Sequence, residues 1–340
     1  MKRDTILVTG GAGFVGSHFA RAATDAGRRV VILDDLSGGA PAVLPSTIPV
    51  VVGDIGDKRK VRTVCSAHDV GAIVHFAGRI QVGESVLRPD VYFESNLVKT
   101  LALLDVVREE AIMSMLFSST AAVYGNPEVV PIQETSRLAP VNPYGASKLA
   151  VEYALAAWAR AYGLRWAALR YFNAAGARAD GTLRENHEPE THLIPLALDA
   201  GVDGRPPLIV FGDDYDTPDG TCIRDYIHVE DLAAAHLAAL QQLEAGKTLG
   251  SINLGTGHGY SVREVIDAAS AVLGRDVPFV LGARRDGDPP RLVADPTLAK
   301  SLLGWTPQRA ELTTIVEDAL RSRIGARYSS VRASQSTPMR

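Results

Sequence analysis

With 340 residues, 46% apolar and 22% charged, the chain is long enough to bury one large core or two joined ones. A formal net charge of −4 gives no electrostatic ground for a polyanion partner, because affinity for a phosphate backbone rests on clustered Lys and Arg, so nucleic acid is set aside. Two cysteines, Cys65 and Cys222, stand far apart without the paired spacing of a metal knuckle or a redox dithiol, and both are expected to be reduced and structural.

The segment Met1-Lys2-Arg3-Asp4 leads straight into a short apolar strand, and no stretch approaches the roughly 18 apolar residues of a membrane span. A cytoplasmic chain without a membrane segment is expected. Short β-branched runs then alternate with helical patterns: strand Thr5 to Thr9, helix from Phe14, strand Arg29 to Leu33, strand Pro49 to Val52, helix Lys58 to Ala67, strand Ala72 to Phe76, helix Tyr92 to Glu110 and strand Met115 to Ser118. This alternation predicts an α/β fold, a Rossmann-type doubly wound parallel sheet with helices on both faces. Asn142-Pro143 opens an Ala-rich helix from Tyr144 to Tyr162, with Asn142 as its N-cap, and the strand Trp166 to Tyr171 follows.

Beyond Asn173 the regular alternation loosens. The expected division is a dinucleotide-binding domain over 1–175, to which 226–256 returns, and a smaller, discontinuous α/β substrate lobe over 176–225 and 257–326. Residues 327–340, Ser-rich and without periodicity, are expected to form a loose tail.

The first strand runs into Gly10-Gly11-Ala12-Gly13-Phe14-Val15-Gly16, whose G-x-x-G-x-x-G spacing suits a backbone that turns sharply and approaches a pyrophosphate at a helix N-terminus. Asp34, ending the second strand, is placed to accept hydrogen bonds from the adenosine ribose, and its charge, with no basic residue among Asp35-Leu36-Ser37, favours NAD over NADP. Asp54-Ile55 either brackets the adenine or supplies a helix cap.

Tyr144 and Lys148 lie four apart near a helix start, so both project from one face. A tyrosine, with a pKa of about 10, becomes a useful general base near neutrality only if about 4 kcal/mol is supplied, for which an ammonium and a cationic nicotinamide are candidates. The other reading of the pair is a solvated lysine beside a packed tyrosine. Ser118-Ser119-Thr120 places three hydroxyls at the C-terminal end of a strand, either as donors to a ligand or simply as turn formers.

Over nearly the whole chain, from Ile6 to about Leu320, these markers resemble the extended short-chain dehydrogenase/reductases, and within them the nucleotide-sugar 4-epimerases acting on UDP-glucose and UDP-galactose. The ordered matches are the glycine turn, Phe76-Ala77-Gly78 with Val82-Gly83-Glu84-Ser85, the Thr120 segment, Tyr144 and Lys148, Leu169 to Asn173, Phe211-Gly212 with Asp219-Gly220-Thr221, Arg224 to Val229, Asn253-Leu254-Gly255 and Arg284 to Pro289. The resemblance implies that Tyr144 is the base, that Lys148 holds the nicotinamide ribose, and that Thr120 bonds the sugar O4. It implies tightly bound NAD, with further cofactor contacts from Gly10, Gly13, Phe14, Val15, Gly16, Asp34, Asp35, Asp54, Ile55, Phe76, Ala77, Gly78, Asn96, Ser118, Tyr171 and Phe172. UDP contacts are implied at Asn173, His192, Leu193, Ile209, Phe211, Arg224, Arg285 and Asp288, and a homodimer packed through the helices near 92–110 and 144–162.

Two arginines suit a diphosphate as forked, fixed charges. No metal site is expected, since neither His192 nor His228 has another ligand type at coordinating spacing. Ile80 stands where some relatives carry a lysine near the cofactor, and Leu292 where bulk bears on whether an N-acetylated sugar fits. Epimerases of UDP-N-acetylglucosamine or of a UDP-pentose, and a non-catalytic NAD-sensing protein, are the alternatives. A 4,6-dehydratase would need an acid pair beside Thr120, where this chain has Ala121-Ala122.

Overall fold

The computed structural model describes residues 3–38, 44–183, 185, 189–202, 204–285 and 288–335; residues 336–340 of the expected tail and the marker residues Asp286 and Gly287 lie outside these. The first half is built from β1 (Thr5–Thr9), α1 (Phe14–Asp25), β2 (Val30–Asp34), β3 (Val50–Val52), α2 (Lys58–Ala67), β4 (Val70–His75), α3 (Val82–Leu87) and α4 (Pro89–Phe93). A π-helical turn over Glu94–Val98 leads into α5 (Lys99–Glu109), followed by β5 (Ser114–Thr120), a 3-10 turn over Ala121–Tyr124, α6 (Pro143–Tyr162) and β6 (Arg165–Tyr171). The second half contains β7 (Asn173–Ala175), α7 (Leu193–Ala200), β8 (Leu208–Phe211), β9 (Ile223–Arg224), β10 (Tyr226–His228), α8 (Val229–Glu244) and β11 (Gly250–Leu254). It ends with β12 (Tyr260–Ser261), α9 (Val262–Leu273), β13 (Phe279–Gly282), β14 (Arg291–Leu292), α10 (Thr297–Leu303) and α11 (Leu312–Gln335).

Seven parallel strands form one sheet in the order β11-β6-β5-β4-β1-β2-β3. The central strands are apolar at nearly every position because helices cover both faces. Phe19, Leu232 and Leu240 pack on one face, and Val61, Leu104 and Leu155 on the other. The strand order reverses between β1 and β4, which opens a crevice at their C-terminal ends. Late in the chain β11 pairs to β6 from Gly250↔Ala167 to Leu254↔Tyr171, while β10 pairs with β7 in a separate two-stranded sheet.

A third core, made from α7, β8, α9 and α11 through Ile194, Leu198, Val210, Val265 and Ile315, holds the smaller lobe together. Two boundaries differ from expectation. The α10 segment, placed in the small lobe by its position in sequence, packs on the large domain: Ala299, Leu303 and Trp305 join the core under α8, and the Trp305 indole donates to the Asp231 carbonyl at 3.0 Å. Residues 327–335, expected as loose tail, continue α11. Beyond Gly325 the segment holds no Gly or Pro up to Gln335, and extending an existing helix costs less than starting one.

Four buried histidines set the acid limit of this fold. Burial pushes His18 and His236 down to about 4, and His75 and His228 down to about 3, so all four are neutral at pH 7. The unfolded chain, with histidines near 6.5, binds more protons than the folded one below that pH, so stability falls as pH drops from about 6.5 toward 4. Asp225, raised to about 6 by burial, gains over part of the same range and offsets some of the loss. The expected result is an unfolding free energy, measured by urea titration, that falls steadily below about pH 6.5, by on the order of several kcal/mol at pH 4.5. A free energy unchanged down to pH 5 would contradict it.

Candidate active site

At the crevice, Gly10 has φ +70°, and a Cβ there would meet the Ala77 nitrogen at 2.4 Å; at Gly16 it would meet the Gly10 carbonyl oxygen at 2.3 Å. These two glycines let β1, α1 and the segment after β4 approach backbone to backbone. Gly13 differs, since a Cβ there would find only the Gly10 oxygen at 3.4 Å. The chain itself barely crowds that position, which faces the cleft at the start of α1, where no side chain caps the helix. Room plus free N–H groups at a helix start fits a pyrophosphate.

The Asp34 carboxylate is buried and accepts from the backbone N–H of Ala12 at 2.9 Å and of Leu36 at 2.8 Å. Burial raises its pKa, against these hydrogen bonds, and the group is locked at the lip of the glycine turn. Asp35 takes the Ser37 N–H and hydroxyl. Asp54 lines the cleft with Ile55, accepts from Gly56 N–H at 2.7 Å and pairs with Lys99. Capping of α2 falls instead to Asp57, so Asp54 is not the helix cap.

Asn142 accepts from the Gly145 N–H at 2.9 Å and fixes the start of α6, which delivers Tyr144 and Lys148 to the cleft floor. Lys148 is 2% exposed, and its ammonium donates to the Ser118 carbonyl at 3.1 Å and lies 4.8 Å over the Phe117 ring. Burial pushes its pKa down to about 8. Tyr144 is raised by burial, while a hydrogen bond with the Thr120 hydroxyl lowers it. The protein alone therefore does not pre-ionise this phenol, and any further lowering requires added positive charge. Tyr92 meets Tyr144 edge-on at 6.5 Å and donates to Glu84 at 2.8 Å. Ser118 and Tyr171 share a 2.5 Å hydroxyl contact beside them.

Phe76, Ala77, Gly78, Ser118, Thr120, Tyr171 and Phe172 all line the same cleft. Asn96 does not. The π-helical turn carries it inward, where its amide accepts from the Arg79 N–H at 2.7 Å and donates to the Arg79 carbonyl at 3.0 Å and to Ser147 at 3.1 Å. It braces the loop after Gly78 from behind.

The small lobe closes the other half of the cleft, which totals about 2010 Å³, room for two nucleotide-sized ligands. Asn173, the His192-Leu193 start of α7, Ile209 and Phe211 on β8, Arg224 on β9, Arg285 and Asp288 all line it. Arg224 pairs with Asp288, and the Arg285 guanidinium stacks 3.9 Å from the Phe211 ring centre. Ile80 and Leu292 border the same space.

Contrary to the spacing argument, acids do gather at His192: its Nδ1 lies 2.6 Å from Glu185 and 3.0 Å from Glu190. Burial pulls the imidazole down, but the two carboxylates outweigh it and raise it to about 10, so it is a cation held by acids. Sequence reasoning also passed over the Glu84–Tyr92 support of Tyr144 and a buried Glu152–Arg170 ion pair behind the cleft. The second had a legible signal, because Glu152 continues the four-residue spacing of Tyr144 and Lys148. Among the described residues, no helix is long and apolar enough to cross a membrane.

The model of the NAD dependent epimerase/dehydratase family matches residues 6–255. The UDP-glucose 4-epimerase of Azospirillum brasilense is 49% identical over 315 residues, 93% of this chain and 90% of that one. Among solved structures, UDP-glucose 4-epimerase from Brucella ovis in complex with NAD superposes with a TM-score of 0.89 at 46% identity, covering 93% of this chain and 97% of the other. The enzyme from Bifidobacterium longum in complex with NAD+ and UDP gives 0.90 at 36% identity, covering 94% and 98%. Glycine turn, Tyr-Lys pair and a cleft of two-nucleotide size thus coincide with matches along almost the full length, and the chain belongs to the NAD dependent epimerase/dehydratase family.

Proposed function

We propose that this chain is an NAD-dependent UDP-glucose 4-epimerase, interconverting UDP-glucose and UDP-galactose through a 4-keto sugar. The observation that carries it is that Tyr144, its hydrogen-bond partner Thr120 and Lys148 line one cleft bounded by the glycine turn on one side and by Arg224 and Arg285 on the other. NAD, when bound between the glycine turn and Lys148, would supply a transient hydride acceptor for C4 of the sugar, so that no net oxidation results.

The chain's own residues do the rest. Gly10, Gly13 and Gly16 admit the pyrophosphate, and Asp34 takes the adenosine ribose. Lys148, held at the Ser118 carbonyl, anchors the nicotinamide ribose. Tyr144 takes the proton of the sugar 4-hydroxyl, and Thr120 keeps that oxygen within reach. Arg224 and Arg285 hold the diphosphate, with Phe211 and Leu193 against the nucleoside. Remote binding of the UDP group leaves the sugar free to turn over, which a reaction at both faces of C4 requires. A dehydratase reading is disfavoured because Ala121 and Ala122 present only methyl groups beside Thr120.

A homodimer fits the exposed apolar side chains of Val98 on the π turn and of Tyr153 and Tyr162 on α6. The decisive experiment is incubation of purified protein with UDP-galactose, without added NAD, and separately with UDP-N-acetylgalactosamine and UDP-arabinose, the 4-epimers being resolved by chromatography. Formation of UDP-glucose is expected. No conversion of any of the three, even with NAD supplied, would leave the non-catalytic NAD-sensing reading in its place.

A further inference from the structure

Tyr144, Lys148 and Glu152 follow at four-residue intervals along α6 and so share one face. The first two reach the cleft, whereas the Glu152 side chain is 4% exposed. Its carboxylate accepts from the Ser119 hydroxyl at 2.5 Å, the Ser251 hydroxyl at 2.8 Å, and Arg170 Nε and Nη2 at 3.0 and 2.5 Å. These partners sit on three different strands, β5, β11 and β6. Arg170 also donates to the Tyr124 hydroxyl at 2.8 Å, which donates to Asn253 at 2.6 Å. A buried ion pair is a weak source of net stability, since apolar groups of similar volume commonly replace it without loss. What such a network supplies is a single register between the elements it joins.

That register matters here because Ser119 sits between two residues that touch the catalytic pair. The Ser118 carbonyl receives Lys148, and the Thr120 hydroxyl meets Tyr144. Arg170 likewise precedes Tyr171, the partner of Ser118. We infer that Glu152 is a positioning residue for the epimerisation, holding α6 to the end of β5 through Ser119 so that the Tyr144 phenol and the Thr120 hydroxyl stay in hydrogen-bonding register. The inference rests on the epimerase reading above.

Ser119 and Ser251 separate this role from plain stability. Each gives one neutral hydrogen bond to the same carboxylate, but only Ser119 lies on the strand that carries Thr120, and no residue of β11 lines the cleft. Ser119→Ala and Ser251→Ala should therefore lower the melting temperature by similar amounts. In Ser119→Ala, kcat for UDP-galactose is expected to fall about tenfold with KM within about twofold, as for a reacting group shifted by a fraction of an ångström. Its Tyr144 phenol, titrated by tyrosinate absorbance against the same variant carrying Tyr144→Phe, should move upward by about one pH unit as the Thr120 contact loosens. Ser251→Ala should match the wild type in both, and Ser119→Thr, which restores the hydroxyl, should recover them. Equal kcat and equal phenol titration in Ser119→Ala and Ser251→Ala would overturn the inference. The titration decides it even if the wild type converts no sugar, an outcome that would refute the epimerase reading separately.

Discussion

Tyr144→Phe is expected to abolish conversion of UDP-galactose, by at least about a thousandfold in kcat, while the protein keeps its fold and its bound NAD. The magnitude follows from removing the atom that takes the proton, general base catalysis being worth roughly 10²- to 10⁴-fold. Phenylalanine keeps the ring that meets Tyr92 edge-on, so the packing around it is retained. The Thr120 hydroxyl loses one partner but still accepts from the Ala122 N–H at 3.1 Å. Lys148→Met should behave differently. It removes an ammonium that donates to the Ser118 carbonyl, so both NAD retention and turnover should fall. Stopped turnover with normal NAD content in Tyr144→Phe, set against impaired NAD content in Lys148→Met, would assign base and anchor separately. Residual activity above about one-tenth in Tyr144→Phe would show that another group takes the proton.

Much of the architecture was legible in the chain because the cues are local. Helix α6 is announced by Asn142-Pro143 and closed at Gly163 with φ +72°, and strands β1 and β2 by the apolar runs Ile6-Leu7-Val8 and Val30-Val31-Ile32-Leu33. The cleft residues were legible for a related reason, since an open parallel sheet collects ligands at strand ends, and Thr120, Asp34 and Gly10 all stand there. What escaped were relations between distant segments. That Trp305 belongs under α8, that Asn96 sits behind the cleft to brace Arg79, and that Glu185 and Glu190 converge on His192 depend on how loops fold back, which no local period encodes. The expected lowering of the Tyr144 phenol was a statement about the loaded site. Burial, acting on the protein's own groups, works the other way.

Gly16→Ala should be the most damaging small substitution at the cofactor end. The added methyl carbon would lie 2.3 Å from the Gly10 carbonyl oxygen and 3.0 Å from both the Gly10 carbon and the Gly11 Cα, all of them backbone. No side chain can rotate aside, so α1 must lift from β1 or the glycine turn must open. Moving α1 disturbs Phe19 and Ala20 in the core, and overpacking of that kind costs typically about 1–3 kcal/mol. Opening the turn displaces the N–H groups at the start of α1 and the Ala12 N–H that fixes Asp34, so pyrophosphate and ribose contacts are lost together. The expected protein is folded but less stable, is purified with little NAD, and regains activity only at high added NAD. NAD is measured by acid extraction and enzymatic assay, stability by urea titration. Gly83→Ala is the comparison, because a Cβ there meets nothing within 4 Å in α3. It should keep its NAD and lose no stability, helix propensity favouring alanine. Full NAD occupancy in Gly16→Ala would mean that the close approach of β1 and α1 is not what admits the pyrophosphate.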